Sequence, residues 1–367
     1  MKQRIVGYDL ARALAVFGMV VVNFKIVMGA EDSGPTWLVD LVGLLSGRAA
    51  AIFVVLAGVG VSLISKKARV LGDRALLQSD RTVLLKRALF LFVVGLLYTP
   101  VWPADILHFY GIYLASSALL LSASTRRLLT LSGVLVATAA IMILFLDYGQ
   151  GWDWKTLEYS GFWSPMGMVR HLFFNGFHPV VPWLSFLLVG MVLGRQDIQK
   201  ASVRRRIFIL GVIVAGVAEA GSRLLIRTLS ESHVAAESET IVALFGTGPM
   251  PPMPLYVFAA AGTACAVIVA MVSVGLRYGE AIWLRPFVAT GQLALSLYVG
   301  HVLVGMGALE LMGRLENQTL PFSLLASMIF CIAGVQFSYL WRRRFERGPI
   351  EAIMRMCTGQ IWRWPEK

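Results

Sequence analysis

The histidines of this sequence are its best candidates for acid–base chemistry, and His178 has the most distinctive surroundings. It lies in the stretch 175–195, which reads NGFHPVVPWLSFLLVGMVLGR. Pro179 and Pro182 end any preceding helix and favour the start of the next one. The apolar run that follows has the length of a membrane helix. We therefore expect His178 at the mouth of a helix, where membrane and water meet.

The other histidines differ in the side chains that accompany them. Asp105 precedes His108 by three residues, a helical spacing that lets a carboxylate hold an imidazole for work as a general base. The alternative is a helix start in which Asp105 is the cap and His108 lies at the interface. His301 lies within an apolar run, where it either takes part in chemistry or bridges helices. His171 and His233 are predicted to be solvated or interfacial.

Four further polar side chains lie in or beside apolar runs, where burying them is costly. Asp9 and Arg12 share a helical face, and they form either a self-neutralising pair or part of a cofactor entrance. Asn23 makes either a hydrogen bond between helices or a contact to substrate. Arg48 needs a carboxylate, backbone carbonyls or a ligand phosphate, and we favour a functional role for it.

The sequence contains no Ser-His-Asp elbow, phosphate-binding P-loop, zinc motif or dinucleotide fingerprint. Its three cysteines, Cys265, Cys331 and Cys357, lack the spacing of metal ligands and are expected to be reduced. Chemistry here therefore depends on histidine, carboxylate and amide groups. Transfer of an acyl group from a thioester suits that set, because the donor is already activated and the protein must mainly align reactants and move a proton.

Composition indicates how these groups are positioned. Of the 367 residues, 57% are hydrophobic and 15% are charged, and the mean hydropathy is +0.72, which excludes a soluble globular protein. Apolar runs of about 20 residues predict an all-α, polytopic membrane bundle of about ten transmembrane helices. We expect one transmembrane domain over 1–367, with a basic cytoplasmic tail at 342–367. The predicted spans are 7–28, 43–65, 84–102, 104–124, 128–147, 180–196, 206–228, 254–276, 287–311 and 321–341.

Charge is distributed unevenly between alternate loops. The formal net charge is +12, and the basic residues concentrate in loops such as 66–87 and 195–206, whereas the alternate loops are acidic or neutral. Cytoplasmic loops collect Lys and Arg, so we expect both termini in the cytoplasm and a bacterial-type inner or plasma membrane location. Membrane topology therefore explains the positive net charge. We expect membrane lipids, and no nucleic acid, as partners.

Several blocks together resemble one family. The opening, Arg4-x-x-x-Tyr8-Asp9-x-x-Arg12-Ala13-x-Ala15-x-x-Gly18-Met19-x-x-x-Asn23, is similar to that of the transmembrane acetyltransferases that include heparan-α-glucosaminide N-acetyltransferase and the bacterial YeiB-like proteins. Later blocks of that group are similar to Gly47-Arg48-x-x-x-Ile52-Phe53, Asp105-Ile106-Leu107 with Tyr110, His178-Pro179-x-x-Pro182-Trp183, and Gly291-Gln292-x-Ala294-Leu295-Ser296-x-Tyr298 with His301.

The resemblance implies acetyl-CoA as the acyl donor on the cytoplasmic side and an outer acceptor, often an amino sugar or another glycan. Of the family's site residues only Asn23 is carried over. In the acyltransferase hypothesis, Arg48 or Arg12, beside Asp9, contacts the coenzyme, and Asn23 and His301 line the transfer centre. The family's lysosomal members use a histidine in the outer loop soon after the first-span Asn, but residues 24–36 contain none. His178 or His108 would then be the base, with Asp105 as its orienting group and without a metal.

A different class of function uses the same buried groups. A transporter or flippase of a small polar or lipid-linked substrate would bind its cargo or protons through them. The sequence has no detectable inverted repeat, which counts modestly against a transporter. Acetyl-CoA binding separates the two hypotheses. Association into a homo-oligomer is left open, as is the identity of the acceptor.

Overall fold

The computed structural model describes residues 4–154, 156–231 and 235–359, and helices dominate them. One short antiparallel hairpin pairs β1 (Trp152–Asp153) with β2 (Glu158–Tyr159). The prediction of an all-α membrane protein is confirmed at that level. The α-helices are α1 (Val6–Val27), α2 (Thr36–Gly43), α3 (Arg48–Ile64), α4 (Lys66–Leu71), α5 (Arg74–Tyr98), α6 (Leu107–Leu119), α7 (Thr125–Phe145), α8 (Pro165–Arg170), α9 (Val180–Leu193), α10 (Ala201–Ser230), α11 (Ala235–Phe245), α12 (Pro254–Tyr278), α13 (Arg285–Gln292), α14 (Ala294–Gly300), α15 (Gly307–Leu311), α16 (Leu320–Arg342) and α17 (Pro349–Cys357).

Every predicted span coincides with helical structure. Within the described residues, seven helices are long and apolar enough to cross a membrane, and a bent pair, Pro165–Asn175 with Val180–Leu193, brings the number to eight. The seven are Val6–Val27, Thr36–Ile64, Thr125–Phe145, Ala201–Ser230, Pro254–Tyr278, Ala294–Leu311 and Leu320–Arg342. The count of ten and the cytoplasmic placement of the termini stay predictions.

The chain forms two compact units. The first unit consists of Met1–Phe53, Ile198–Phe208 and Ala264–Lys367. In it α1 packs against α13, α14 and α16, and α13 packs against α16. The contact of α1 with α13 depends on Gly291, because a Cβ atom there would lie 2.9 Å from the Cα atom of Asp9 and closer still to its carbonyl group. Backbones in this contact therefore touch directly.

The second unit consists of Val54–Asp197 and Ile209–Thr263. Here α5 packs along α6, and α9 packs against α6 and α7. The core includes Trp183, Tyr113 and Tyr256, which are almost fully buried. Whether the two units belong to the single domain predicted over 1–367 stays a prediction.

Two breaks in helical geometry fall at histidines. One π-helical segment is His171–Asn175, which follows α8, and the other is His301–Met306, between α14 and α15. The predicted span 287–311 is therefore α13, α14, a π-helical segment and α15. Single π-turns are rare inside α-helices and often occur at functional sites, because they redirect the side chains around them. Both histidines are therefore of interest as site residues.

The predicted basic tail contains a short amphipathic helix. Residues 360–367 lie outside the described part of the chain, and α17 occupies half of 342–359. The Glu351 carboxylate on α17 accepts hydrogen bonds from the backbone N–H groups of Leu295 at 2.9 Å and Ser296 at 3.2 Å, and also from the Ser296 hydroxyl. Burial raises the pKa of Glu351, and the hydrogen bond from Ser296 opposes that shift.

Because the Glu351 pKa is raised in the folded state, its contribution to stability is fully present below its ordinary value of 4.5 and is lost as pH rises through the folded value. The stability of the wild type relative to Glu351→Gln should therefore decrease as pH increases above 4.5. Thermal unfolding midpoints of both proteins in detergent across this range measure the difference. A difference that grows with pH would contradict the prediction.

Candidate functional site

Asp105 and His108 form a carboxylate–imidazole pair at the start of α6. The Oδ2 atom of Asp105 accepts from Nδ1 of His108 at 3.0 Å, and from the backbone N–H groups of Leu107 at 2.8 Å and His108 at 3.2 Å. Both side chains are 0% exposed. The carboxylate is thus both the helix cap and the group that orients the imidazole, and His108 is buried inside the protein.

This contact fixes which ring nitrogen of His108 is available. A carboxylate oxygen only accepts hydrogen bonds, so Nδ1 carries the hydrogen and Nε2 presents its lone pair. Nε2 is buried, and no residue in the described part of the chain makes a hydrogen bond to it. A lone pair on an oriented imidazole, shielded from water, is the arrangement that a general base needs.

The position of His108 depends on a close contact with α5. A Cβ atom on Gly95 would lie 2.8 Å from the Cα atom of His108 and closer to its backbone nitrogen. Glycine lets the α5 backbone press against the first turn of α6. Sequence reasoning missed Gly95, since nothing local distinguishes it from other glycines in apolar helices.

His171 joins His108, and its predicted solvated or interfacial position is wrong. It is 1% exposed. Its ring stacks on His108 with centroids 5.6 Å apart, and on Phe109 at 5.3 Å. Its Nδ1 atom is buried without a hydrogen-bond partner. His233 lies outside the described residues.

The folded segment between α7 and α9 buries His171. The side chain of Asn175 donates to the backbone oxygens of Tyr148 and Gln150, both at 2.9 Å, and accepts from the Tyr159 hydroxyl at 2.8 Å. The Trp152 indole donates to the Asn175 carbonyl at 2.6 Å. Asn175 thereby ties the hairpin to the π-helical segment and closes an aromatic wall over His171.

His178 lies just before α9, as its prolines predicted. Its backbone carbonyl accepts from the Tyr113 hydroxyl, and its ring packs edge-on against Trp183 with centroids 4.6 Å apart and against Phe109 at 6.0 Å. Its Nδ1 atom has no hydrogen-bond partner. Among the described residues no carboxylate pairs with His178, in contrast to His108.

We call His108, His171 and His178 the histidine cluster. Each member has a buried ring nitrogen without a partner, which costs about 1–3 kcal/mol per group when left unpaired. In the described part of the chain, no three His, Cys, Asp or Glu side chains are arranged to hold a metal ion. The free ring nitrogens can accept hydrogen bonds from a substrate and take up protons.

Asn23 and His301 contact each other in the first unit. Asn23 Nδ2 and His301 Nε2 are 2.9 Å apart, and Nδ1 of His301 contacts the carbonyl oxygen of Tyr298. A carbonyl only accepts, so Nδ1 carries the hydrogen and Nε2 accepts from the amide of Asn23. Both nitrogens of this buried imidazole are occupied.

The Asn23–His301 contact predicts energetic coupling. Asn23→Leu should destabilise the protein by about 1–3 kcal/mol, because it leaves the buried Nε2 lone pair of His301 unpaired. In a background carrying His301→Phe, the same substitution should cost much less. Unfolding midpoints of the single and double variants give the coupling energy. Additive effects would show that the hydrogen bond contributes nothing.

Asp9 binds two guanidinium groups near the start of α1. Its Oδ1 atom lies 2.7 Å from Nη1 of Arg12, and its Oδ2 atom lies 2.7 Å from Nε of Arg4. Asp9 is 1% exposed, whereas Arg12 is 31% and Arg4 is 61% exposed. One carboxylate shared by two arginines leaves one positive charge uncompensated. Sequence spacing indicated Arg12 as the partner but not Arg4, which precedes the helix.

Arg48 is the first residue of α3. Its Nη1 atom donates to the Leu44 carbonyl at 3.3 Å, so a backbone carbonyl is one of the partners that its position requires. Lys25, which the sequence reasoning overlooked, lies near the other end of α1 and is 8% exposed. Its Nζ atom is 3.3 Å from the Ser46 hydroxyl and 3.5 Å from Glu31.

Two family models match parts of this chain. A family model described as heparan-α-glucosaminide N-acetyltransferase, catalytic, matches residues 4–226. A second family model, described as a protein of unknown function (DUF418), matches residues 194–360. No curated protein sequence matches the chain. The first family model covers well over half of the 367 residues, and the chain belongs to the heparan-α-glucosaminide N-acetyltransferase catalytic family.

Proposed function

We propose that this protein is an integral-membrane acyltransferase that moves an acetyl group from cytoplasmic acetyl-CoA to a hydroxyl or amine on the outer side of the membrane. The observation that carries the proposal is the Asp105–His108 pair, whose free Nε2 atom lies in a buried cluster of histidines. Membership of an acetyltransferase family supports the same reaction.

His108 is proposed to act as the general base. Its Nε2 atom takes the proton from the acceptor as the acceptor oxygen or nitrogen bonds to the thioester carbonyl carbon. The carbon–sulfur bond then breaks, and the imidazolium returns the proton to the departing thiolate. Asp105 stabilises the positive charge that His108 carries between these two events. His178, with its free Nδ1 atom, is the alternative base.

Acetyl-CoA supplies the activated acyl group. Arg12 and Arg48 are proposed to contact the coenzyme, and the uncompensated positive charge beside Asp9 supports the assignment of Arg12. Guanidinium groups bind phosphate oxygens in pairs, which suits this ligand. Asn23 and His301 are proposed to hold the substrate by hydrogen bonds. Because both ring nitrogens of His301 are engaged, His301 is assigned to binding and not to proton uptake.

The acceptor is proposed to be a sugar or glycan. The support is the name of the family model, which describes enzymes that acetylate a glucosaminide. The loop charges support cytoplasmic termini in a bacterial-type inner or plasma membrane. The apolar helices place the protein in contact with membrane lipids.

The decisive experiment uses purified protein in phosphatidylcholine nanodiscs. Acetyl-CoA is added with a glucosamine-terminated oligosaccharide, free CoA is measured with a thiol reagent, and the acetylated sugar is identified by mass spectrometry. We expect acetyl-CoA to raise the unfolding temperature and CoA to be released with time. If acetyl-CoA does not raise the unfolding temperature and CoA release does not exceed that of empty nanodiscs, the acyltransferase proposal is refuted and a transporter is favoured.

A further inference from the structure

Two arginines of the second unit lie close together, and neither pairs with a carboxylate of the described residues. Arg69, on α4, donates from Nη2 to the carbonyl and hydroxyl oxygens of Ser62 at 2.7 and 2.9 Å. Arg195 follows α9 and donates from Nη1 to the carbonyl of Ala123 at 2.8 Å. Each arginine therefore contacts neutral oxygens near the end of a helix.

The packing of α3 and α9 brings these arginines to the same place. Gly194 precedes Arg195, and a Cβ atom there would lie 2.8 Å from the Cβ atom of Ser62 and 3.0 Å from the Cα atom of Val59. Ser62 is the residue that Arg69 binds. Burial lowers the pKa of Arg195, and the neighbouring charge of Arg69 lowers it further. Two positive charges therefore repel each other here.

The unpaired donor atoms of the Arg195 guanidinium group indicate which kind of chemical group could bind there. Its Nε and Nη2 atoms are buried and have no hydrogen-bond partner. These two donors form one edge of the guanidinium plane, the edge that binds two oxygens of a carboxylate or phosphate at once. Among the described residues no carboxylate pairs with Arg69 or Arg195, so nothing in this part of the chain fills that edge.

A purely structural role explains only part of this arrangement. Cations near helix C-termini are favourable, because they bind the last carbonyls and complement the helix dipole. That role accounts for the contacts of Arg69 and for Nη1 of Arg195. It leaves two buried donors of Arg195 unpaired, which is costly, and it gives no reason to place a second charge beside them.

We propose that Arg69 and Arg195 form a binding site for an organic phosphate. The free edge of Arg195 binds two phosphate oxygens, and Arg69 supplies the second positive charge. A phosphate suits two uncompensated charges better than a single carboxylate does. Two sources share this chemistry, the phosphates of a coenzyme such as acetyl-CoA and the headgroup of an anionic phospholipid. The site does not depend on the proposed acyl transfer.

Binding to the full-length protein in phosphatidylcholine nanodiscs tests the proposal. The probes are adenosine 3′,5′-bisphosphate, which carries the phosphates of the coenzyme's nucleotide, and short-chain phosphatidylglycerol. Unfolding midpoints are measured against probe concentration at constant ionic strength. We expect one of the probes to stabilise the wild type, and its affinity to fall by about tenfold or more in Arg69→Gln and Arg195→Gln.

Arg126→Gln, which removes an exposed charge on α7, is the matched control and should leave the affinity unchanged. A response to the bisphosphate assigns the site to a coenzyme, and a response to phosphatidylglycerol assigns it to a lipid. If a glutamine variant does not fold, Arg195→Lys keeps the charge but loses the two-donor edge, and it should also weaken binding. No stabilisation of the wild type by either probe, or equal loss in the control, overturns the proposal. Since no turnover is measured, this result is independent of the acyltransferase assay.

Discussion

Replacing His108 with glutamine is expected to lower kcat for CoA release by about 10²–10⁴-fold while acetyl-CoA still binds. Glutamine has a similar reach but cannot take up a proton. The reason for assigning the largest loss to His108 is its Asp105 partner, 3.0 Å away, which fixes the tautomer and leaves Nε2 free. The measurement is the steady-state rate of thiol release from acetyl-CoA, paired with the acetyl-CoA dependence of the unfolding temperature.

Two further variants show whether the loss is chemical. His178→Gln removes a histidine that lacks a carboxylate partner, so its effect on kcat should be clearly smaller than that of His108→Gln. Asp105→Asn keeps an acceptor for the cap of α6 but removes the negative charge. It should therefore reduce kcat with little change in unfolding temperature. A larger decrease of kcat in His178→Gln than in His108→Gln would show that His178, and not His108, is the base.

The parts of the site that the sequence predicted are local in the chain. Asp105 with His108, and Asp9 with Arg12, are spaced by one helical turn, and helical geometry alone brings such pairs together. Hydropathy predicted where the helices lie, because burial in a membrane imposes long apolar runs. The prolines around His178 predicted the start of α9. The family resemblance, based on blocks spread along the chain, is confirmed.

The parts that the sequence did not predict depend on distant contacts. From the sequence, His171 was assigned to a loop. Its burial was not predicted because it depends on Asn175 and the hairpin, which fold over it. The hydrogen bond between Asn23 and His301 joins residues far apart in the chain, and each side chain alone allowed several interpretations. The proximity of Arg69 and Arg195 is likewise a consequence of helix packing. Positive-inside composition predicts basic residues in those loops but not which of them meet.

The glycine motifs show the same limit. Both Gly43-x-x-x-Gly47 and Gly190-x-x-x-Gly194 have the small-residue spacing that predicts close packing of helices. For Gly190 the structure agrees, since a Cβ atom there would lie 2.8 Å from the carbonyl carbon of Val55 and closer to its oxygen. For Gly43 the prediction is wrong, because a Cβ atom there would have no atom within 4 Å. The spacing is the same, and only the neighbouring helix differs.

Gly190→Ala is therefore expected to destabilise the protein by about 1–3 kcal/mol or more, despite the higher helix propensity of alanine. The added methyl group meets backbone and not a movable side chain: Val55 on one side, and the Cα atom of Gly58 at 3.0 Å on the other. α3 and α9 would have to separate, which would also disturb the position of His178 just before α9. Thermal unfolding and the yield of monodisperse protein measure the effect.

Gly43→Ala is the matched control for this prediction. It makes the same chemical change in α2, where the methyl group meets open space, so it should leave the unfolding temperature unchanged or raise it slightly through helix propensity. The contrast between the variants separates backbone contact from propensity, because the chemical change is the same and alanine is favoured over glycine in both helices. Equal unfolding temperatures for the two would mean that α3 and α9 are not held together by direct contact at Gly190.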